Sequence, residues 1–234
     1  MRFKLLFFIV ATLVATQGFS QGAYVLRGLV KDANTGEPLP FATVFFAGST
    51  FGTTTNDNGA FSLRANKEGT YELVVKFIGY ETYVKQVSLG LIETTRLVVS
   101  IKPNTKDLGS VVIVAKKDAQ WRKYLKEFEE IFLGQSINAS NCKILNKEAL
   151  DFIYDEEKEQ LTAFSDEPLI VENKQLGYRV EYYLEQFVMD YSTNLSGYFG
   201  YTIFKSIKPK NERRARTIER NRKSTYEGST AHFF

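Results

Sequence analysis

His232 is the single histidine and Cys142 the single cysteine of this 234-residue chain, and those two counts decide most of what chemistry it can carry. A zinc peptidase centre uses two histidines and a glutamate, so one histidine excludes it within this chain. A Ser-His-Asp relay would have to run through His232, the third residue from the end, and termini are poorly held unless tied down. No Gly-x-Ser-x-Gly elbow and no Gly-rich phosphate loop occurs. Carboxylates of the kind used in acid–base work crowd 151–159, but Asp155-Glu156-Glu157-Lys158-Glu159 reads as a charged turn between two strands. Asn56-Asp57-Asn58-Gly59 offers oxygen ligands, yet lacks the twelve-residue calcium loop with its terminal bidentate Glu. The same four residues are turn chemistry: Asn and Asp bond their own backbone, and Gly accepts positive φ. No catalytic, metal-binding or cofactor-binding residue is therefore expected, no cofactor is implied, and the chain is not expected to be an enzyme.

The elements around that turn are β-strands. Strands are predicted at residues 24–31, 41–47, 52–56, 60–64, 71–77, 81–89 and 94–102, each bounded by turn signals. In 71–77, Tyr71, Leu73, Val75 and Phe77 face one way, with Glu72 and Lys76 opposite. Leu97, Val99 and Ile101 repeat the alternation. Seven short strands at even spacing predict a Greek-key β-sandwich over residues 21–103. Within it Asp32 should cap the first turn, and Gly79-Tyr80 should supply a bend and a packed ring. Phe45, Phe46 and Phe51 are read as core rather than as a binding face.

Residues 104–118 read as a linker containing a short apolar strand, Leu108 to Ala115, that packs on a second domain. Residues 119–204 predict that domain, a smaller α+β unit. Asp118 caps a helix over 119–133 that Gly134 ends. Trp121, Tyr124, Leu125, Phe128, Ile131 and Phe132 form its apolar stripe, while Lys123–Glu127 and Lys126–Glu130 pair at i,i+4. An antiparallel meander comes next, at 150–154, 160–165, 169–171, 177–191 and 198–204. In 177–191, Tyr178, Val180, Tyr182 and Leu184 share one face and Arg179, Glu181, Tyr183 and Glu185 the other. Residues 205–234 form a basic helical tail, with nine Lys or Arg against three Glu between 205 and 227. Residues 104–204 hold eleven basic against seventeen acidic residues, so the tail is expected to fold back on the acidic half or to meet acidic headgroups peripherally.

Compartment is read from the start of the chain. Arg2 and Lys4, the apolar run Leu5 to Val14, and small Gly18 and Ser20 make residues 1–20 a secretory signal cleaved before Gln21. The run is shorter than the roughly 20 residues that span a bilayer, and no cysteine comes after it to carry a lipid anchor. Export permits disulfides, but Cys142 has no partner in the chain. The net charge of +3 and export both argue against nucleic acid. Hydrophobic content of 44% and charged content of 24% suit a globular core rather than disorder. The sequons at Asn138 and Asn194 carry no weight in a bacterial envelope.

A resemblance adds to this reading. Gly28-x-Val30-x-Asp32, Thr35-Gly36-Glu37-Pro38-Leu39, Ala42-x-Val44, Gly52-Thr53, Thr55-Asn56-x-x-Gly59-x-Phe61-x-Leu63 and Gly79-Tyr80 together resemble the carboxypeptidase regulatory-like domain. That resemblance implies a transthyretin-like (prealbumin-like) sandwich without catalytic residues, common at the front of exported proteins of gram-negative envelopes, including TonB-dependent receptors. The family often has Asp where Asn56 stands. The later residues Trp121, Phe132-Leu133-Gly134, Asn138 to Cys142, Leu145-Asn146, Leu176-Gly177-Tyr178, Arg220-x-Arg222, Tyr226-x-Gly228 and His232-Phe233 resemble exported carboxypeptidase-like regulatory domain-containing proteins. Members of that group continue past the His-Phe element, so a missing C-terminal part is expected. The implied function is a non-catalytic envelope protein, in the periplasm or on the outer membrane, whose sandwich binds a protein or glycan partner or acts as a spacer. Alternatives are the front of a larger outer-membrane receptor, or an accessory part of a peptidase.

Overall fold

The computed structural model describes residues 24–90, 96–104 and 118–227. The signal segment 1–20, the predicted strand at 108–115 and His232 lie outside them.

Residues 24–101 contain seven strands in two sheets. In the first sheet β1 (Tyr24–Asp32) lies between β4 (Ala60–Ala65), antiparallel, and β7 (Arg96–Ile101), parallel. The second sheet runs β3 (Gly52–Thr54), β2 (Thr43–Phe46), β5 (Gly69–Lys76), β6 (Tyr83–Leu89), all antiparallel. Alternate residues of both sheets fill the space between them: Leu26, Val30, Val44, Phe46, Leu63, Leu73, Val75 and Val99 are buried in one cluster. The hairpin turn forms as its residues dictate. Asn56 Oδ1 accepts from the N–H groups of Asn58 and Ala60 at 3.1 and 2.9 Å, and Gly59 takes φ 70°. Asn56's side-chain oxygen is thus occupied by backbone. Predicted strand ends in this unit move by two residues at most, and β2 begins at Thr43 rather than at Phe41.

The second half packs one helix on one sheet. α1 (Ala119–Leu133) starts at Asp118, whose carboxylate accepts from Trp121 N–H at 2.6 Å, and stops at Gly134. Trp121, Tyr124, Phe128 and Phe132 are buried against Phe152, Leu161, Leu169 and Phe187. The Lys126–Glu130 pair spans 3.9 Å. Glu127, expected to pair with Lys123, instead accepts a hydrogen bond from the Tyr191 hydroxyl at 2.7 Å.

The sheet has six strands: β8 (Cys142–Ile144), β9 (Asp151–Asp155), β10 (Gln160–Phe164), β11 (Leu169–Asn173), β12 (Tyr178–Asp190) and β13 (Leu195–Ser206). Two features correct the expected meander. First, β8 has no counterpart among the predicted strands, because three residues are too short a run for periodicity to declare itself. Second, β11 and β10 lie end to end along one edge of β12, β11 beside its first half and β10 beside its last residues, while β13 pairs the whole opposite edge. The predicted faces of β12 hold through Leu184. There a bulge at Glu185 shifts the register against β13, so Phe187 and Met189 join the helix-side core with Leu184.

α2 (Glu212–Glu227) docks on the turn at residues 174–177 that joins β11 to β12. Attraction between opposite charges is the expected cause. The contacts are instead to backbone carbonyls: Arg214 to Lys174 O (2.6 Å), Asn221 to Gln175 O (3.1 Å), and Arg222 to Leu176 O (2.7 Å) and Gly177 O (3.0 Å). Arg222 also lies 3.8 Å from the Tyr178 ring centre. Ile218 is buried over Gly177, where an added Cβ would stand 2.8 Å from its Cδ1.

Candidate interaction surface

The turn and cap residues singled out by the sequence are all consumed by structure. Asp32, 5% exposed, accepts from Asn34 and Thr35 N–H at 2.6 and 2.9 Å and from the Tyr80 hydroxyl at 2.6 Å. The Tyr80 bond and the two amides hold its carboxyl below the usual range, and the same bond raises the Tyr80 phenol. The Tyr80 contact, 48 residues away, is the part local pattern could not supply. Asp155 accepts from Glu157 and Lys158 N–H and pairs with Lys158 at 2.7 Å, which is the expected charged turn. Among the described residues no group of three His, Cys, Asp or Glu is placed to hold a metal. An open cavity of 330 Å³ lies at the end of α1, lined by Lys126, Glu129, Leu133 and Ser140 among others. Lys147 pairs with Glu129 there at 2.5 Å, both side chains partly exposed.

Two surfaces stand out. One joins the halves. Phe45 and Val74 point away from the sandwich core and meet Tyr183 and Ile203 of the second sheet, all four buried. Phe45 stacks on Tyr183 with ring centres 5.0 Å apart, and burial pushes the Tyr183 phenol up to about 12. Lys76 and Thr82 both reach Glu185, and the loop after β2 bonds to β13 through Gly48 N–H to Thr202 O and Phe204 N–H to Ser49 O. Phe45 and Phe46 are read from the sequence as core because they are aromatic, and both are buried, but in two different cores.

The other surface is the corner at Phe41. Phe41 is 70% exposed and adopts φ 61°, a conformation uncommon for a bulky side chain. Thr55 holds it there. Thr55 Oγ1 donates to Leu39 O at 2.6 Å and accepts from Ala42 N–H at 2.8 Å, and Phe41 N–H donates to Thr55 O at 3.0 Å. A buried clamp thus presents an aromatic ring to solvent at the end of the sandwich. No sequence signal in Leu39-Pro40-Phe41-Ala42 announces the backbone conformation.

The model of the CarboxypepD_reg-like domain matches residues 26–113. Residues 26–113 are a CarboxypepD_reg-like domain. Its described part is the two-sheet unit, so the Phe41 corner belongs to the CarboxypepD_reg-like domain, while the seam joins that domain to the α+β half. The TonB-dependent receptor SusC of Bacteroides thetaiotaomicron is 36% identical over 113 residues, 48% of this chain and 10% of that protein. The matched stretch thus spans about a tenth of the receptor's length. A solved structure from Bacteroides fragilis, described as membrane-associated and of unknown function, covers 69% of this chain and 64% of its own at 15% identity, with a TM-score of 0.28. No helix among the described residues is long and apolar enough to cross a membrane.

Proposed function

We propose that this chain is a non-catalytic exported envelope protein whose CarboxypepD_reg-like domain, a transthyretin-like Greek-key sandwich, docks a protein or glycan partner at the periplasm or outer membrane. The observation that carries the reading is Phe41, an exposed aromatic ring held at positive φ by a buried threonine. Strain kept in place by surrounding bonds concentrates at ligand clamps and contact sites. The seam supports the spacer role, since two backbone hydrogen bonds and a stacked aromatic pair hold the sandwich against the α+β half. On the docked tail helix Arg213, Arg216, Arg220 and Lys223 stay exposed, which suits a peripheral contact with acidic headgroups. The likeness to SusC favours a second reading, the front of a larger outer-membrane protein.

A photo-crosslinking amino acid at position 41, used in cells with fractionation and intact-mass analysis, tests the proposal. The expected result is an adduct with one envelope component, found in the periplasmic or outer-membrane fraction. Adducts from other exposed positions but none from 41 would remove the Phe41 corner as the contact. A native mass well above that of this chain would favour the receptor-front reading. Release of C-terminal residues from peptides by the purified protein would overturn the non-catalytic reading.

A further inference from the structure

Strand β13 is paired with β12 on one side only, and its other side is divided. At Thr202 and Phe204 the sandwich loop bonds to it, through Gly48 N–H to Thr202 O at 2.8 Å and Phe204 N–H to Ser49 O at 2.7 Å. From Leu195 to Tyr201 the same side has no strand beside it among the described residues. Along a strand the backbone groups of alternate residues point to the same side. The register irregularity between β12 and β13 lies in β12, so the alternation in β13 is unbroken. The N–H and C=O groups of Ser196, Tyr198 and Gly200 therefore point outward, as those of Thr202 and Phe204 do.

This open edge has none of the usual guards. No charge and no proline occurs from Leu195 to Phe204, where edge strands ordinarily carry lysine, proline or a bulge to prevent pairing. It is apolar as well: Leu195 is 69%, Tyr198 45% and Phe199 52% exposed.

The geometry points to a second copy of this chain as the occupant, paired antiparallel through β13 about a twofold axis at Tyr198. In that register the outward groups of Tyr198 meet those of Tyr198 in the second copy, and Ser196 meets Gly200, each pair exchanging both N–H and C=O. The side chains complement each other too. Phe199 falls opposite the second copy's Gly197, where an aromatic ring covers a residue with no side chain of its own, and Leu195 falls opposite Tyr201. The ends also fit. Leu195 is the first residue of β13 and would lie opposite Tyr201, one residue before Thr202, where the sandwich loop takes over the edge. A single strand pair is smaller than the roughly 800 Å² per partner of a stable interface, so the dimer is weak and concentration-dependent.

Sedimentation of the full chain through the micromolar range tests this, beside the variants Leu195→Lys and Phe199→Lys. Both side chains are exposed, so circular dichroism should confirm that the variants fold. The wild type is expected to move from one to two chain masses as concentration rises, and each lysine variant to stay at one. A second measurement reads the register: Tyr198→Cys in a Cys142→Ser background should form a disulfide between two chains at position 198 on oxidation. A wild type that stays at one chain mass throughout overturns the proposal. So does a dimer that survives both lysine substitutions, or one that gives no 198–198 disulfide.

Discussion

Glu185 meets Lys76 at 2.8 Å across the seam between the two halves, two residues after Tyr183 and on the same face of β12. Strand alternation aims this carboxylate of the second sheet at the sandwich beside Tyr183, and Thr82 also donates to it at 2.7 Å. The two charged side chains are 23% and 26% exposed, so solvent screens them and the pair is worth about 1 kcal/mol at most. Glu185→Gln should cost less than Glu185→Ala, because the amide oxygen still accepts a hydrogen bond. Chemical denaturation of Glu185→Ala, Lys76→Ala and the double variant measures the coupling. Additive losses would mean that the contact contributes nothing.

Phe45 and Phe46 are neighbours, both fully buried, and should fail differently. Phe46 belongs to the sandwich core and Phe45 to the seam. Each truncation to alanine should cost about 3–5 kcal/mol. Phe46→Ala lowers the stability of the sandwich itself. Phe45→Ala removes the stacked partner of Tyr183 and should split unfolding into two transitions. Calorimetry distinguishes them, and a single transition in Phe45→Ala would show that the seam does not couple the halves.

The contrast between those two residues shows where sequence is legible. Phe46, Leu73 and Val75 announce the sandwich core by alternation, and Asp118 with Gly134 brackets α1 to the residue, because capping is local chemistry. Phe45 and Val74 sit on faces that alternation assigns to solvent. Only the arrival of Tyr183 and Ile203, more than 100 residues later, makes those faces interior. The bulge after Leu184, which brings Phe187 and Met189 into the helix-side core, is equally hidden, since it is one residue of mismatch between two strands and neither strand records it alone. Phe41 reads as the first residue of a strand, and its conformation is set by Thr55, not by its neighbours in sequence.

Asp32 sets an acid response. Its carboxyl is lowered by the Tyr80 hydroxyl first and by the Thr35 and Asn34 amides. A lowered folded-state value means that the stabilisation is fully present above the unfolded value, roughly pH 4, and is lost as pH falls through the folded one. Tyr80→Phe should move that loss to higher pH, and Asp32→Asn should flatten this part of the profile while lowering stability at neutral pH. Thermal melts between neutral pH and strong acid measure both. An unchanged acid limb in Asp32→Asn would assign the acid sensitivity elsewhere.

The tail helix should be held against salt. Its anchors are carbonyl oxygens and the Tyr178 ring, and the ion pairs Arg216–Glu212 and Lys223–Glu227 lie within the helix. Raising ionic strength screens exposed charge pairs but leaves a guanidinium on two carbonyls largely in place. Protection of α2 amides from hydrogen exchange should therefore persist in high salt. Arg222→Lys should weaken docking, because an ammonium cannot both stack on the ring and fork to two carbonyls. Gly177→Ala should do the same by pushing Ile218 away, at an αL position already unfavourable to alanine. Loss of protection on adding salt alone would restore the charge-attraction account.

Phe41 separates stability from contact. Moving a non-glycine residue out of the left-handed region relieves about 1–2 kcal/mol, and glycine at such a site gives back part of that through the unfolded chain. Since the ring is 70% exposed, its removal sacrifices little burial. Phe41→Gly is therefore expected to leave the melting temperature unchanged or raised, against the several kcal/mol that truncating a buried Phe costs. Phe41→Ala keeps the strain and loses the ring, and should be the less stable of the two. If the ring is the contact, both variants lose the partner equally despite that difference. A glycine variant that melts well below the wild type would mean that Phe41 packs the corner, and the argument from a strained, presented aromatic would fall with it.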